Sequence, residues 1–148
     1  MKPQKQKYKP DPNRMTMEDI VKNSDEVKQS GVDWKRFHAY IYSAIQFPKY
    51  RLMRNNNTLF LYEIVKPHEA NLISTFNAEK SYKTFARNII EFGGAMEKAG
   101  FYRLTAEGAN IQTVTILKSR FPVQYKEAGK NKNGVPFYQI EVDIREDK

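Results

Sequence analysis

Few side chains in this sequence are of a type that does chemistry unaided. There is no cysteine, which excludes thiol nucleophiles, disulfides and cysteine–zinc sites. Two histidines, His38 and His68, do not make a metal cluster. Either imidazole, or the Glu63 carboxylate, has the chemistry of a general base. Each also has a plainer use. His68 falls in a Lys66-Pro67-His68 turn, Glu63 alternates with apolar neighbours as a solvent-facing strand residue does, and His38 lies among aromatics. No catalytic residue and no metal ligand is assigned from them.

The cations are more informative. Lys80, Lys83 and Arg87 recur at helical spacing and would suit a phosphate backbone, bound without base recognition and with steep salt dependence. The same row is also what a solvated helix face looks like. The net charge is +8, and residues 1–14 carry four lysines and Arg14 against Asp11 alone. Half of the excess charge therefore sits in about a tenth of the chain. That stretch holds Pro3, Pro10 and Pro12 and almost nothing apolar, so it cannot offset ordering entropy by burial. It reads as a disordered or extended basic arm over residues 1–15. Lys5, Lys7, Lys9 and Arg14 are its contacts for nucleic acid or an acidic protein surface, and residues 16–148 form a single domain. No apolar run reaches the roughly 20 residues of a membrane helix, mean hydropathy is −0.74, and the N-terminus lacks the apolar core of a secretory signal.

The elements that must position these groups follow from periodicity. Thr16 caps a helix that Gly31 ends, and Asp33 caps a second carrying Trp34, Phe37, Ile41 and Ile45 at helical spacing. Tyr50 to Arg54, Thr58 to Val65 and Glu69 to Phe76 are short strands joined by tight turns, the first at Asn55-Asn56-Asn57, and predict an antiparallel meander. A long helix over 79–99 buries Tyr82, Phe85, Ile89, Phe92 and Met96; Gly93-Gly94 within it serves close packing on a sheet or an irregular turn. Next comes a strand from Phe101 to Glu107, broken by Gly108. A shorter helix capped by Asn110 follows, and then a hairpin of Val123 to Ala128 and Pro136 to Ile144, around a loop holding Gly129 and Gly134. Tyr138, Ile140, Val142 and Ile144 alternate with polar residues, the strongest strand signal present.

This order resembles the GNAT acyltransferases, the acetyl-CoA-dependent N-acetyltransferase superfamily, over about residues 34–144. In that family an asparagine opens a helix that ends near a Gly-Phe pair, and Asn110 and Phe121 are the matching positions. The resemblance implies an α+β fold with a mixed, mostly antiparallel sheet flanked by helices. It also implies a V-shaped gap, expected between the fourth and penultimate strands, that holds the pantetheine arm. A more particular likeness is to small GNAT-like internal virion or assembly proteins of podovirus-type phages. It rests on the basic helix Lys80 to Phe92, the asparagine-initiated helix ending Leu117-Lys118, and Phe137-Tyr138-Gln139-Ile140.

The chemistry of the family is only partly present. Its pyrophosphate cradle is a loop of the form Gln/Arg-x-x-Gly-x-Gly/Ala, and the matching stretch, Phe76-Asn77-Ala78-Glu79-Lys80-Ser81-Tyr82, has no glycine. Asn77 reads there as a helix cap and Glu79 as a first-turn carboxylate. The tyrosine that many members use as general acid is Leu117 here, and the glycine before Phe121 is Arg120. Tyr125 and Tyr138 are close in sequence, as strand residues. These departures favour a non-catalytic phage virion structural or assembly component without a cofactor, located in the virion or host cytoplasm and partnered by other virion proteins. The alternative is an acyl-CoA-dependent N-acyltransferase with an atypical pyrophosphate loop, holding acetyl-CoA through Asn77, Lys80, Ser81 and Asn110. A second alternative is a nucleic-acid-binding module.

Overall fold

The computed structural model describes residues 14–145. Lys5, Lys7 and Lys9 of the expected arm lie outside the described residues; Arg14 is exposed just before the first helix. Five helices and six strands follow in order: α1 Met17–Asn23, α2 Asp25–Ser30, α3 Trp34–Ala44, β1 Tyr50–Asn55, β2 Thr58–Lys66, β3 Glu69–Asn77, α4 Tyr82–Lys98, β4 Arg103–Ala109, α5 Ile111–Lys118, β5 Val123–Lys130 and β6 Pro136–Asp143. One sheet has the order β1-β2-β3-β4-β6-β5. The β3–β4 pair is parallel and every other pair antiparallel, so the expected mixed sheet and the β1–β2–β3 meander are both present.

The sheet separates two apolar layers. On one face α4 and α5 bury Phe85, Ile89, Phe92, Met96, Val114 and Leu117 against Phe60, Leu104, Ile140 and Val142. Phe60 stacks on Phe92 with ring centroids 4.3 Å apart, and burying such a side chain contributes about 2–3 kcal/mol. On the other face α1, α2 and α3 bury Ile20, Val21, Val27 and Ile41 against Leu59, Leu61 and Phe76. Trp34 and Phe37 are half-buried there, while Tyr40 is exposed.

Several boundaries differ from the sequence reading. The first predicted helix is two helices, because Ser24 is extended (φ −69°, ψ 144°). Its hydroxyl donates to the Val21 carbonyl and accepts from the Val27 N–H, so one side chain serves as the joint between α1 and α2. Helix α4 starts at Tyr82 with Ser81 as its cap, not near Glu79. Tyr82, expected in the buried stripe, is 54% exposed because it stands in the first turn. Gly108 does not break β4; it lies inside the strand, at an irregularity in the pairing with β6. Gly129 belongs to β5 rather than to the loop. Gly93 does serve close packing, but against a side chain rather than the sheet. A Cβ there would sit 2.8 Å from the Phe121 ring.

Candidate functional site

The sheet opens where its two parallel strands part. β3 and β4 pair from Glu69 with Arg103 to Leu72 with Ala106, and no further. Just there the β2–β3 register slips between Leu61 and Tyr62, leaving Ile73 as an extra residue on β3. A bulge bends its strand and increases the local twist, so β3 turns away from β4 over Ile73–Asn77. The result is a V-shaped gap of about 220 Å³, lined by Leu72–Phe76 on one side and Ala106, Gly108, Ala109, Asn110 and Thr113 on the other. Glu26 and Phe37 line it from the α2 and α3 side. The expected position of the gap is therefore corrected: β4 and β5 are not neighbours, since β6 lies between them, and the gap belongs to β3 and β4.

The four residues expected to hold a cofactor divide between the two arms of the V. Asn110 stands at the end of β4 and lines the gap, its Oδ1 accepting the Thr113 N–H at 2.8 Å to cap α5. Asn77, Lys80 and Ser81 lie at the end of the β3 arm. Asn77 is not a helix cap: its Oδ1 accepts from Thr58 Oγ1 and from the Glu79 N–H, each at 3.1 Å. Ser81 caps α4 through the Thr84 N–H at 3.3 Å, and Lys80 is exposed. Glu79 is not in a first helical turn. Its Oε2 accepts the Asn57 N–H at 3.1 Å and Asn88 Nδ2 at 2.6 Å.

Sequence patterning missed this polar cluster. Asn88 is fully buried, donates to Thr58 Oγ1 at 2.9 Å as well as to Glu79, and accepts from Asn56 Nδ2 at 2.6 Å. The β1–β2 turn is thereby tied to the β3–α4 junction. The only signal available was a polar residue inside the buried stripe of a helix, which in a folded core must find partners.

At that junction the backbone donors are engaged. The Asn77 N–H donates to Glu26 Oε2 at 3.1 Å, the Ala78 N–H to the Asn57 carbonyl at 3.0 Å, and the Glu79 N–H to the Asn77 side chain. Glu26 was not foreseen. It is half-buried, and desolvation raises its carboxyl from the ordinary 4.5 to about 7, with the Asn77 N–H opposing part of that shift.

The other sequence candidates stand elsewhere. His68 is exposed in the β2–β3 turn, its Nδ1 2.9 Å from the Gly100 carbonyl and its ring stacked on Tyr102. Glu63 pairs with Lys49 at 3.4 Å. His38 packs edge-on between Trp34 and Tyr42. Tyr138 is the register partner of Ala109 but does not line the gap, and Tyr125 is exposed on β5. Lys83 and Arg87 are exposed on α4, but Lys80 is exposed ahead of its Ser81 cap, so the expected helical row of three cations is not formed. Among the described residues no cluster has the makings of a metal site, and no helix is long and apolar enough to cross a membrane.

A larger cleft, about 650 Å³, lies at the opposite end of β3 and β4. Its charges largely satisfy one another. Arg103 pairs with Glu69 and Glu141, and Arg145 with Asp143, whose carboxyl those hydrogen bonds hold below the ordinary range. The V-shaped gap, with unpaired strand edges and one perturbed carboxyl, is the better candidate site.

No family model matches the chain, and no curated protein matches it. Solved structures do. A ribosomal-protein-alanine N-acetyltransferase from Brucella melitensis superposes with a TM-score of 0.52 at 13% identity, over 87% of this chain and 95% of its own. The fold is the GNAT acetyltransferase fold. A GNAT family acetyltransferase from Elizabethkingia anophelis, solved with acetyl-CoA bound, gives 0.51 at 11% identity over 89% and 92%. An uncharacterized protein from Bacillus halodurans gives 0.55 at 10% identity over 86% and 80%. At such identities the GNAT likeness is one of architecture, and function has to be argued from the site.

Proposed function

We propose that this chain is a GNAT-type N-acyltransferase that takes its acyl group from an acyl-CoA thioester. The observation that carries the reading is the parting of β3 from β4 at the Ile73 bulge, which leaves a narrow gap walled by a free strand edge. A pantetheine arm is a thin chain with two amides, and a free strand edge offers alternating N–H and C=O groups to such a chain. Fit is good along the arm and poorer at the diphosphate. The N–H groups of Asn77, Ala78 and Glu79 are engaged and that of Thr84 is taken by the Ser81 cap, so the phosphates are left the Tyr82 and Lys83 N–H groups at the start of α4 and the exposed Lys80 and Ser81. Bound there, the thioester supplies an activated carbonyl to an acceptor amine. No phenol lines the gap, so the sulfur would depart as its thiolate, a fair leaving group, and the proton shed by the attacking amine would pass to solvent.

Titration calorimetry with acetyl-CoA tests the reading. Gly108→Leu supplies the control, because a Cβ at that gap-lining position meets nothing within 4 Å and the variant should fold. The expected result is saturable binding that weakens at least about tenfold in the variant, a loss typical of obstructed contacts. No heat at millimolar ligand would remove the proposal.

A second reading, a non-catalytic structural or assembly component such as a phage virion protein, is favoured by one observation. The three junction N–H groups that would meet a diphosphate already have partners within the chain. The same titration decides between the two.

A further inference from the structure

We propose that Glu26 is a gate: its carboxylate, carried on α2, closes the mouth of the β3–β4 gap and has to leave before the phosphate-bearing end of an acyl-CoA can enter. The proposal rests on the donor reading above. Along a strand, successive N–H groups point to opposite sides. The Ala78 N–H bonds the Asn57 carbonyl on the β2 side, so the Asn77 N–H points the other way, into the gap. Glu26 Oε2 takes that donor at 3.1 Å. Among the residues that line the gap Glu26 alone is ionisable. A carboxylate there occupies a peptide donor and repels a phosphate, so it acts on the ligand twice.

Helix α2 is built to move. It has six residues, and Val27 is its one buried side chain. Its ends are two backbone joints, the extended Ser24 and the left-handed Gly31 (φ 71°). Rotation about them would carry Glu26 outward at the cost of the bond from the Val27 N–H to Ser24 Oγ, while α1 stays anchored by the fully buried Ile20 and Val21. Beyond Val27 and Glu26, α2 is held by bonds at its ends, such as Lys132 Nζ to the Ser30 carbonyl at 3.3 Å. Few buried contacts and an ionisable anchor place α2 at the low-stability end of the fold, where elements that open for ligands are found.

The test uses the full chain, its Glu26→Ala variant and its Glu26→Gln variant, each confirmed folded by circular dichroism and titrated with acetyl-CoA in a calorimeter. Hydrogen exchange over residues 25–30 is followed with and without the ligand. Glu26→Ala should bind acetyl-CoA about tenfold more tightly than the parent, the scale of one charge-assisted hydrogen bond that no longer has to break. Glu26→Gln, which keeps an acceptor but no charge, should fall between the two. Acetyl-CoA should speed exchange in residues 25–30 of the parent. Equal binding by parent and Glu26→Ala, or slower exchange in that segment, would overturn the gate and leave the donor reading standing. Absence of binding by every protein would overturn both.

Discussion

Glu26→Gln should make the protein more stable at pH 8 and leave it unchanged at pH 4. Burial against the end of β3 moves the Glu26 carboxyl from its ordinary 4.5 up to about 7. Below pH 4.5 the group is protonated both folded and unfolded, and it contributes no difference. Between 4.5 and about 7 the unfolded chain releases a proton that the folded chain retains, so stability falls as pH rises. Above 7 the folded state carries the whole cost of a buried anion. At about 1.4 kcal/mol per pH unit the interval amounts to about 3 kcal/mol, an upper bound because α2 can give way and rehydrate the carboxylate. Glutamine keeps an oxygen for the Asn77 N–H and has no charge to desolvate. Urea unfolding of parent and variant at half-unit steps from pH 4 to pH 8 should give curves that coincide at the acid end and diverge steadily to the alkaline end. The melting temperatures at pH 8 should differ by on the order of 10 °C for a domain of this size. Parallel curves across the range would refute the reasoning, since they would mean that Glu26 titrates alike in both states.

Other perturbations separate the parts of the fold. Asn88→Ala strips partners from Thr58 and Glu79 in a buried cluster, and equilibrium unfolding should show a loss of about 3 kcal/mol. Gly94→Ala meets nothing within 4 Å inside α4 and should gain up to about 1 kcal/mol in the same assay. Gly93→Ala drives a methyl into the Phe121 ring and should cost about 1–3 kcal/mol, with Phe121→Leu restoring part of it. Arg103→Ala removes partly exposed ion pairs with Glu69 and Glu141 and should change stability by less than about 1 kcal/mol at physiological salt.

The parts of this molecule that are written locally could be read from the chain. Alternation along Tyr138–Ile144 marked the final strand, Asn110 marked the start of α5, and the Asn55–Asn57 turn marked the β1–β2 hairpin. What escaped is set by contacts between distant residues. Glu26 acquires its meaning from Asn77, 51 positions away, and nothing near it in the chain announces that partner. Helix α4 begins three residues after the expected start at Glu79, because Asn77 and Glu79 are used by Thr58, Asn57 and Asn88 instead of by the helix end. The gap itself depends on one surplus residue at Ile73. A bulge leaves no trace in a hydrophobic period that continues on either side of it.

The unequal layers on the two sides of the sheet have a consequence for how damage would spread. The side covered by α1, α2 and α3 buries roughly half as many residues as the side covered by α4 and α5, and the sheet keeps the two from touching. Loosening of the thinner coat is therefore insulated from the thicker one. Such a molecule can shed order on the face that carries Glu26 while its opposite face stays crystalline in its packing, and a lesion among Ile20, Val21 or Ile41 should blur the site long before it melts the protein.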